Sequence, residues 1–472
     1  MQTQLAVLGG GPGGYAAAFL AADLGMEVTL IEAEARLGGT CLLKGCIPSK
    51  ALLHVARVIS ETREMSHWGV AFSPPKIDIG ALRERKEKVI QTLSGGLKQL
   101  AKQRKVRVVQ ARGVFEDSQT LYLQGEGVTA GDERLKFEHC ILAVGSLPAR
   151  PAAFDLPTDR VMDSTGALEL RDLPESLLVV GGGYIGLEMG TVYAELGSQV
   201  SVVELTGTLL PGADRDLVKP LEQRLRKLMK AIHLETKVAG LKDVGDAIEV
   251  KFQSAEGERT ERFSRVLVSI GRRPNSAGIG LDRTKVELDQ RGFVKVDDKL
   301  RTADPHILAI GDVAGEPMLA HKASHEGKVA VEALHGGPAA FDPLAIPAVV
   351  FTDPEIAWAG LTEEQAKKEG REVEIAKYPW AASGRAQALV RTEGMTKLLV
   401  DPKTERVLGV GIVGVNAGDL IAEAVLAIEM GATVRDLADS IHAHPTLSET
   451  LDFAAEVHLG TATEIYKPKR TK

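Results

Sequence analysis

Leu5-Ala6-Val7-Leu8-Gly9-Gly10-Gly11-Pro12-Gly13-Gly14 decides the fold. An apolar run of strand length enters a glycine turn, and an alanine-rich stretch of helical length follows to about Leu24. A second strand, Glu27-Val28-Thr29-Leu30-Ile31, then ends at Glu32. In this βαβ order the glycines serve different ends. Gly9 makes the tight turn, Gly11 lets the backbone approach a pyrophosphate, and Gly14 lets helix and strand close up. Pro12 and Gly13 open the helix, whose free N–H groups attract phosphate. Glu32 is placed to accept hydrogen bonds from a ribose.

The same unit returns. Leu177-Leu178-Val179-Val180 leads into Gly181-Gly182-Gly183-Tyr184-Ile185-Gly186, then a helix, the strand Val200-Ser201-Val202-Val203, and Glu204. A constant offset of 172 separates Gly9 from Gly181 and Glu32 from Glu204. Two units in register are far more specific than one glycine motif and imply two dinucleotide sites. Together with the cysteine pair that lies between them they suggest a relay, in which one site holds a flavin and the other exchanges a nicotinamide. Glu204 repels a 2′-phosphate, and the following Leu205-Thr206-Gly207-Thr208 offers no arginine, so NAD is favoured over NADP.

Between the two units stands Gly38-Gly39-Thr40-Cys41-Leu42-Leu43-Lys44-Gly45-Cys46-Ile47-Pro48-Ser49-Lys50. Cys41 and Cys46, in one helix-length segment with a glycine between them and lysines nearby, can form a small reducible disulfide suited to exchange. Zinc needs four ligands, and no second cysteine pair supplies them, so no metal is expected. The alternative is two unrelated buried thiols. Cys140, the third and last cysteine, lies in an apolar run and reads as a small buried hydrophobe.

The remaining composition sets bounds. At 472 residues the chain needs three or four domains. With 44% hydrophobic and 26% charged residues it is ordinary globular protein, and its 49 glycines occur without low-complexity tracts. A net charge of −7 argues against nucleic acid as a partner. No apolar run approaches the roughly eighteen residues of a membrane span. The chain opens directly on a strand without a charged leader, which leads us to expect a cytoplasmic protein.

The cysteine segment resembles the redox-centre motif of the pyridine nucleotide-disulfide oxidoreductases, and over nearly its whole length the chain is similar to the branch that oxidises dihydrolipoyl groups. The resemblance implies an α/β fold of two Rossmann-like FAD/NAD(P)-binding domains with a C-terminal α+β dimerisation domain. The layout is 1–147 for FAD, 148–275 for NAD, 276–345 completing the FAD site, and 346–472 for the subunit interface. It implies that Cys41 and Cys46 form the redox-active disulfide, with Gly39 and Thr40 beside the flavin. Lys50 pairs with Glu188 under the flavin ring, although Glu188 could equally be an ordinary helix residue. Gly113, Gly145 and Ala320 become flavin contacts, and Asp312 binds the ribitol unless it merely caps the next helix. Tyr184 becomes a gate over the flavin, and Val238 and Gly271 contact the nicotinamide nucleotide.

The segment Ile441-His442-Ala443-His444-Pro445-Thr446-Leu447-Ser448-Glu449 matches the family's base motif. Thiols titrate near 8.5, so exchange at neutral pH needs a base, and histidine suits it. Glu449, five positions on, could hold the ring of His444 as the third member of a triad does. His442 competes and is taken as structural. By resemblance His444 reaches the disulfide of the other subunit, making the enzyme a homodimer. Lipoyl and subunit-binding domains of a 2-oxo acid dehydrogenase or related multienzyme complex are the implied partners. The rival readings are a sibling reductase of glutathione or another disulfide, and a non-catalytic flavin-binding scaffold subunit. The basic end from Lys467 reads as a frayed tail.

Overall fold

A computed structural model describes residues 1–466. The basic tail therefore lies outside the described residues. Strand Gln2–Leu8 pairs in parallel with Val28–Glu32 on one side and Arg134–Leu142 on the other. Apolar side chains on both faces suit a strand covered from both sides, and Leu5, Ala6 and Val7 are fully buried. The first helix spans Pro12–Asp23, with proline at its first position where a missing N–H costs nothing. Its alanines are small enough for Ala320–Leu334 to pack closely, and a Cβ on Gly327 would lie 2.6 Å from the carbonyl oxygen of Gly13. Ile307–Ala309 pairs in parallel with Arg134–Leu142, so residues far apart in sequence complete this first sheet.

The second unit repeats the arrangement. Ser176–Val180 is flanked in parallel by Gln199–Val203 and Arg265–Val268. Helix Tyr184–Glu195 follows the glycine turn, and an antiparallel three-stranded sheet over Lys237–Phe263 stands beside it. The two units are joined twice. Ser146–Pro148 is a short strand on the outward crossing. It pairs antiparallel with the returning Arg272–Pro274. Each crossing thus satisfies the other's backbone groups.

A five-stranded antiparallel sheet follows, ordered Ala348–Val350, Glu355–Gly360, Val407–Gly414, Met395–Val400, Glu374–Pro379. Helices Ala417–Glu429 and Glu449–Leu459 cover it. The first of these buries Ile421, Ala424 and Ile428 but leaves Leu426 and the adjoining Met430 exposed. Among the described residues, no helix is long and apolar enough to cross a membrane.

Candidate functional site

The duplication seen in the sequence extends to hydrogen bonds. Gly10 N–H donates to Glu32 Oε2 at 2.7 Å, and Gly182 N–H donates to Glu204 Oε2 at 2.7 Å. The other oxygens accept from the Glu34 and Thr206 amides at 2.9 and 2.8 Å. Each acid therefore braces its own glycine turn with one carboxylate oxygen and the chain just after itself with the other. A Cβ on Gly14 would stand 1.8 Å from the Gly9 carbonyl oxygen, and one on Gly186 would stand 2.4 Å from that of Gly181. Only glycine permits these helix–strand approaches.

One cavity of about 1030 Å³ collects most of the expected residues. The first turn contributes Gly9, Gly11, Pro12, Gly13 and Glu32; the cysteine segment contributes Gly39, Thr40, Cys41, Cys46 and Lys50. Gly113, Gly145, Asp312 and Ala320 complete that side, and Tyr184, Ile185 and Glu188 arrive from the second unit. Gly14 is held behind the first turn. Gly181, Gly183, Gly186, Glu204, Val238 and Gly271 are not on this cavity. They belong to the second turn and its surroundings: Gly183 precedes the helix there, and the strand carrying Val238 starts where Thr236 N–H donates to the Glu204 carbonyl.

The cavity fits FAD. Its volume is that of a large cofactor site, and it opens on bare backbone where Gly39 passes Gly11. A Cβ on Gly39 would come 2.5 Å from the Gly11 Cα, so a side chain would fill the phosphate cradle. Asp312 does not cap the next helix, which begins at Ala320 after Leu319. Its carboxylate instead accepts from Ser146 Oγ at 2.5 Å, and Arg272 Nε donates to that hydroxyl at 2.7 Å. Ser146 and Arg272 were not foreseen, because their roles depend on the double crossing and not on any motif.

The cysteine segment is two helices and not one. Gly39–Lys44 ends at Gly45, and Cys46 opens the helix Cys46–Glu64. A Cβ on Gly45 would lie 2.9 Å from the Thr40 carbonyl oxygen, so the break folds back on the first helix. Cys41 and Cys46 stand as free thiols in hydrogen-bonding contact. The hydrogen bond from Cys41 and, against the cost of burial, the Lys50 ammonium bring Cys46 down to about 7, while the same contact pushes Cys41 up. The helix N-terminus favours a thiolate there as well. Alkylation of the reduced pair by iodoacetamide should accordingly rise through pH ~7. A rate measured from pH 5 to 9 with its midpoint near the ordinary value of about 8.5 would refute this.

Lys50 Nζ lies 2.8 Å from Glu188 Oε2, so Glu188 is no ordinary helix residue. The partner the sequence did not reveal is Phe351. Its ring centroid is 4.4 Å from the ammonium, and its N–H donates to the second Glu188 oxygen at 3.0 Å. Phe351 lies just inside the 346–472 range expected for the subunit interface, far from either partner in sequence. Burial raises the Tyr184 hydroxyl to about 12, keeping it neutral against the cavity.

His444 and Glu449 do not line this cavity within the chain. His444 Nδ1 lies 2.8 Å from Glu449 Oε1, and the Thr446 amide fixes the other carboxylate oxygen at 2.6 Å. The His444 side chain is 76% exposed, as a group offered to another molecule would be. His442 is 8% exposed, with Nε2 on Glu423 at 2.7 Å and Nδ1 on the Ser440 carbonyl at 2.8 Å. Its structural assignment fits, since neither ring nitrogen is free. Cys140 is fully buried among apolar neighbours, which push its thiol well up.

The chain is similar to known proteins over nearly its whole length. Proteins named dihydrolipoyl dehydrogenase from Vibrio parahaemolyticus and Haemophilus influenzae are each 48% identical, covering 100% and 99% of this chain and 99% and 98% of their own. The solved structure of LpdA from Mycobacterium tuberculosis superposes with a TM-score of 0.88 at 28% identity, covering 96% of this chain and 99% of its own. The HOCl-induced flavoprotein disulfide reductase RclA from Escherichia coli gives 0.84 at 28% identity, over 95% and 98%. Residues 3–327 match the pyridine nucleotide-disulphide oxidoreductases, and 346–455 match the dimerisation domain of the same proteins. With two glycine turns, a thiol pair between them and a dimerisation domain behind, the chain belongs to the pyridine nucleotide-disulphide oxidoreductase family.

Proposed function

We propose that this protein is an FAD-dependent dihydrolipoyl dehydrogenase that converts dihydrolipoyl groups to the lipoyl disulfide and reduces NAD to NADH. The observation that carries the reading is the shared cavity, on which the Cys41–Cys46 pair meets Tyr184 and Glu188 of the second dinucleotide unit. The names of relatives at 41–48% identity support the same substrate.

In the oxidised enzyme the two cysteines are joined. His444 of one subunit, its Nδ1–H donated to Glu449, takes a proton from a dihydrolipoyl thiol at Nε2. The resulting thiolate attacks Cys41 Sγ, the Cys41–Cys46 bond breaks, and Cys46 leaves as a thiolate. The second substrate thiol then attacks the sulfur of the mixed disulfide and passes its proton to the departing Cys41. Lipoamide is released, and the enzyme holds Cys41 as thiol and Cys46 as thiolate. Lys50 and the helix N-terminus stabilise that charge, while Glu188 and the Phe351 ring hold the ammonium in place. FAD held against Gly9, Gly11, Lys50 and Asp312 would supply the two-electron chemistry that links the thiol pair to NAD. Glu204 selects NAD, because a 2′-phosphate would meet its carboxylate.

The substrate would be presented on lipoyl domains of a 2-oxo acid dehydrogenase or related complex in the cytoplasm, with a subunit-binding domain docked on the homodimer. The chain divides into residues 1–147, 148–275, 276–345 and 346–472, and the residues on the cavity hold FAD. Steady-state rates with dihydrolipoamide and NAD, compared with glutathione disulfide and NADPH, test it. Turnover should be confined to the first pair. Preference for glutathione disulfide and NADPH would make the protein a sibling reductase, and no turnover with intact flavin would make it a scaffold.

A further inference from the structure

Lys397, in the strand Met395–Val400, is fully buried and is not on the cavity. Its ammonium donates to Asp214 Oδ2 at 2.6 Å, to Asp216 Oδ1 at 2.8 Å and to Glu363 Oε1 at 2.8 Å. Lys377, on the neighbouring strand, lies 2.6 Å from the second Asp216 oxygen and 3.2 Å from Glu363. The three acids converge as metal ligands do, but the ammonium is already bonded to all of them. Burying so many charges costs desolvation, and a hydrophobic packing of equal volume is often as stable. Such a cluster is better understood as specifying one arrangement of the parts it joins.

The parts are two different units. Glu363, Lys377 and Lys397 belong to the dimerisation domain, whereas Asp214 and Asp216 close the segment that follows Glu204. Asp214 also accepts from the Glu363 and Glu364 amides at 3.1 and 3.3 Å, which ties it to the start of helix Glu363–Glu369. From Asp214 the connection runs back to the second glycine turn. The Arg215 guanidinium donates to the carbonyls of Leu209 and Leu210 at 2.7 and 2.8 Å. Leu210 N–H in turn donates to the Gly182 carbonyl at 2.9 Å, and the Gly182 amide is held by Glu204. Both polar groups of Gly182 are thus fixed by the 204–215 segment, and the far end of that segment is anchored by a lysine from the dimerisation domain.

We infer that Lys397 is a positioning residue for nicotinamide dinucleotide at the Gly181–Gly186 turn, with Arg215 as its relay. Through it the dimerisation domain sets the affinity of a site it does not line. The inference rests on the proposal that NAD binds at this turn.

The test uses the FAD-loaded dimer and two variants. K397M/D216N removes one charge of each sign and leaves the cluster's net charge unchanged; Arg215→Met cuts the relay at an exposed residue. In both, KM for NAD should rise by about tenfold, a coupling of ordinary size, while KM for dihydrolipoamide and kcat at saturating NAD stay within about twofold. FAD content and the thiol titration should not move. A KM for NAD within about twofold of wild type in either folded variant overturns the inference, as does an equal rise for both substrates. Should the double variant fail to fold, the Arg215→Met result decides. If wild-type enzyme does not turn over dihydrolipoamide with NAD, it is the proposed function that falls. Titration of NADH binding by fluorescence then reads the positioning role directly, and unchanged affinity in the variants refutes it.

Discussion

A Cys46→Ser enzyme is expected to lose dihydrolipoamide oxidation by at least about a thousandfold, because residues that act as a unit fail together. Serine matches cysteine closely in size at the first position of its helix, so folding and flavin retention should survive. What disappears is the exchangeable disulfide. Without Cys46 there is no leaving thiolate when Cys41 is attacked, and the mixed disulfide cannot form by exchange. Electron transfer from NADH to a soluble artificial acceptor does not need the pair and should persist. The check is that ratio of activities in the purified, flavin-loaded variant. If dihydrolipoamide turnover stays within about tenfold of wild type, the thiols are not the route.

His444→Gln should slow turnover by about a hundredfold to ten-thousandfold, the usual range for a lost general acid–base group. Glutamine cannot accept the substrate proton near neutral pH, while the NADH-to-acceptor reaction again serves as the unaffected control. The alternative base makes this prediction sharp. His442 has both ring nitrogens engaged and little exposure, so it has no lone pair to offer a thiol. His444 has one nitrogen on Glu449 and is open to solvent. Near-normal rates would require the proton to be taken elsewhere and would remove His444 and Glu449 from the mechanism.

The parts of this site that were legible in the sequence are those whose chemistry is local. A glycine turn after an apolar strand works through backbone conformation within a few residues, so the paired turns and both acids could be placed by counting. The thiol pair and the His444–Glu449 pair are likewise written within short segments. Contacts made by chain returning from afar were not legible. Phe351 holds Lys50 and Glu188 from more than 150 positions beyond the latter, and nothing in Val349-Val350-Phe351-Thr352 signals a cation nearby. Lys397 has no acid among its neighbours in Met395-Thr396-Lys397-Leu398-Leu399-Val400 to mark it as a paired, buried charge. It is buried because two of its three carboxylates come from a segment some 180 residues earlier. The break at Gly45 was missed for a different reason. A helix-length segment with one glycine reads as continuous, and only the approach to the Thr40 carbonyl turns it.

The exposed position of His444, off the cavity of its own chain, has a consequence for inheritance. If each working centre borrows its proton acceptor from the opposite copy, two defective alleles need not add up to a null. A chain lacking the thiol and a chain lacking the imidazole assemble into a mixed pair with one centre doubly damaged and the other whole. A cell carrying both lesions in trans would then keep part of the activity that neither allele could provide alone.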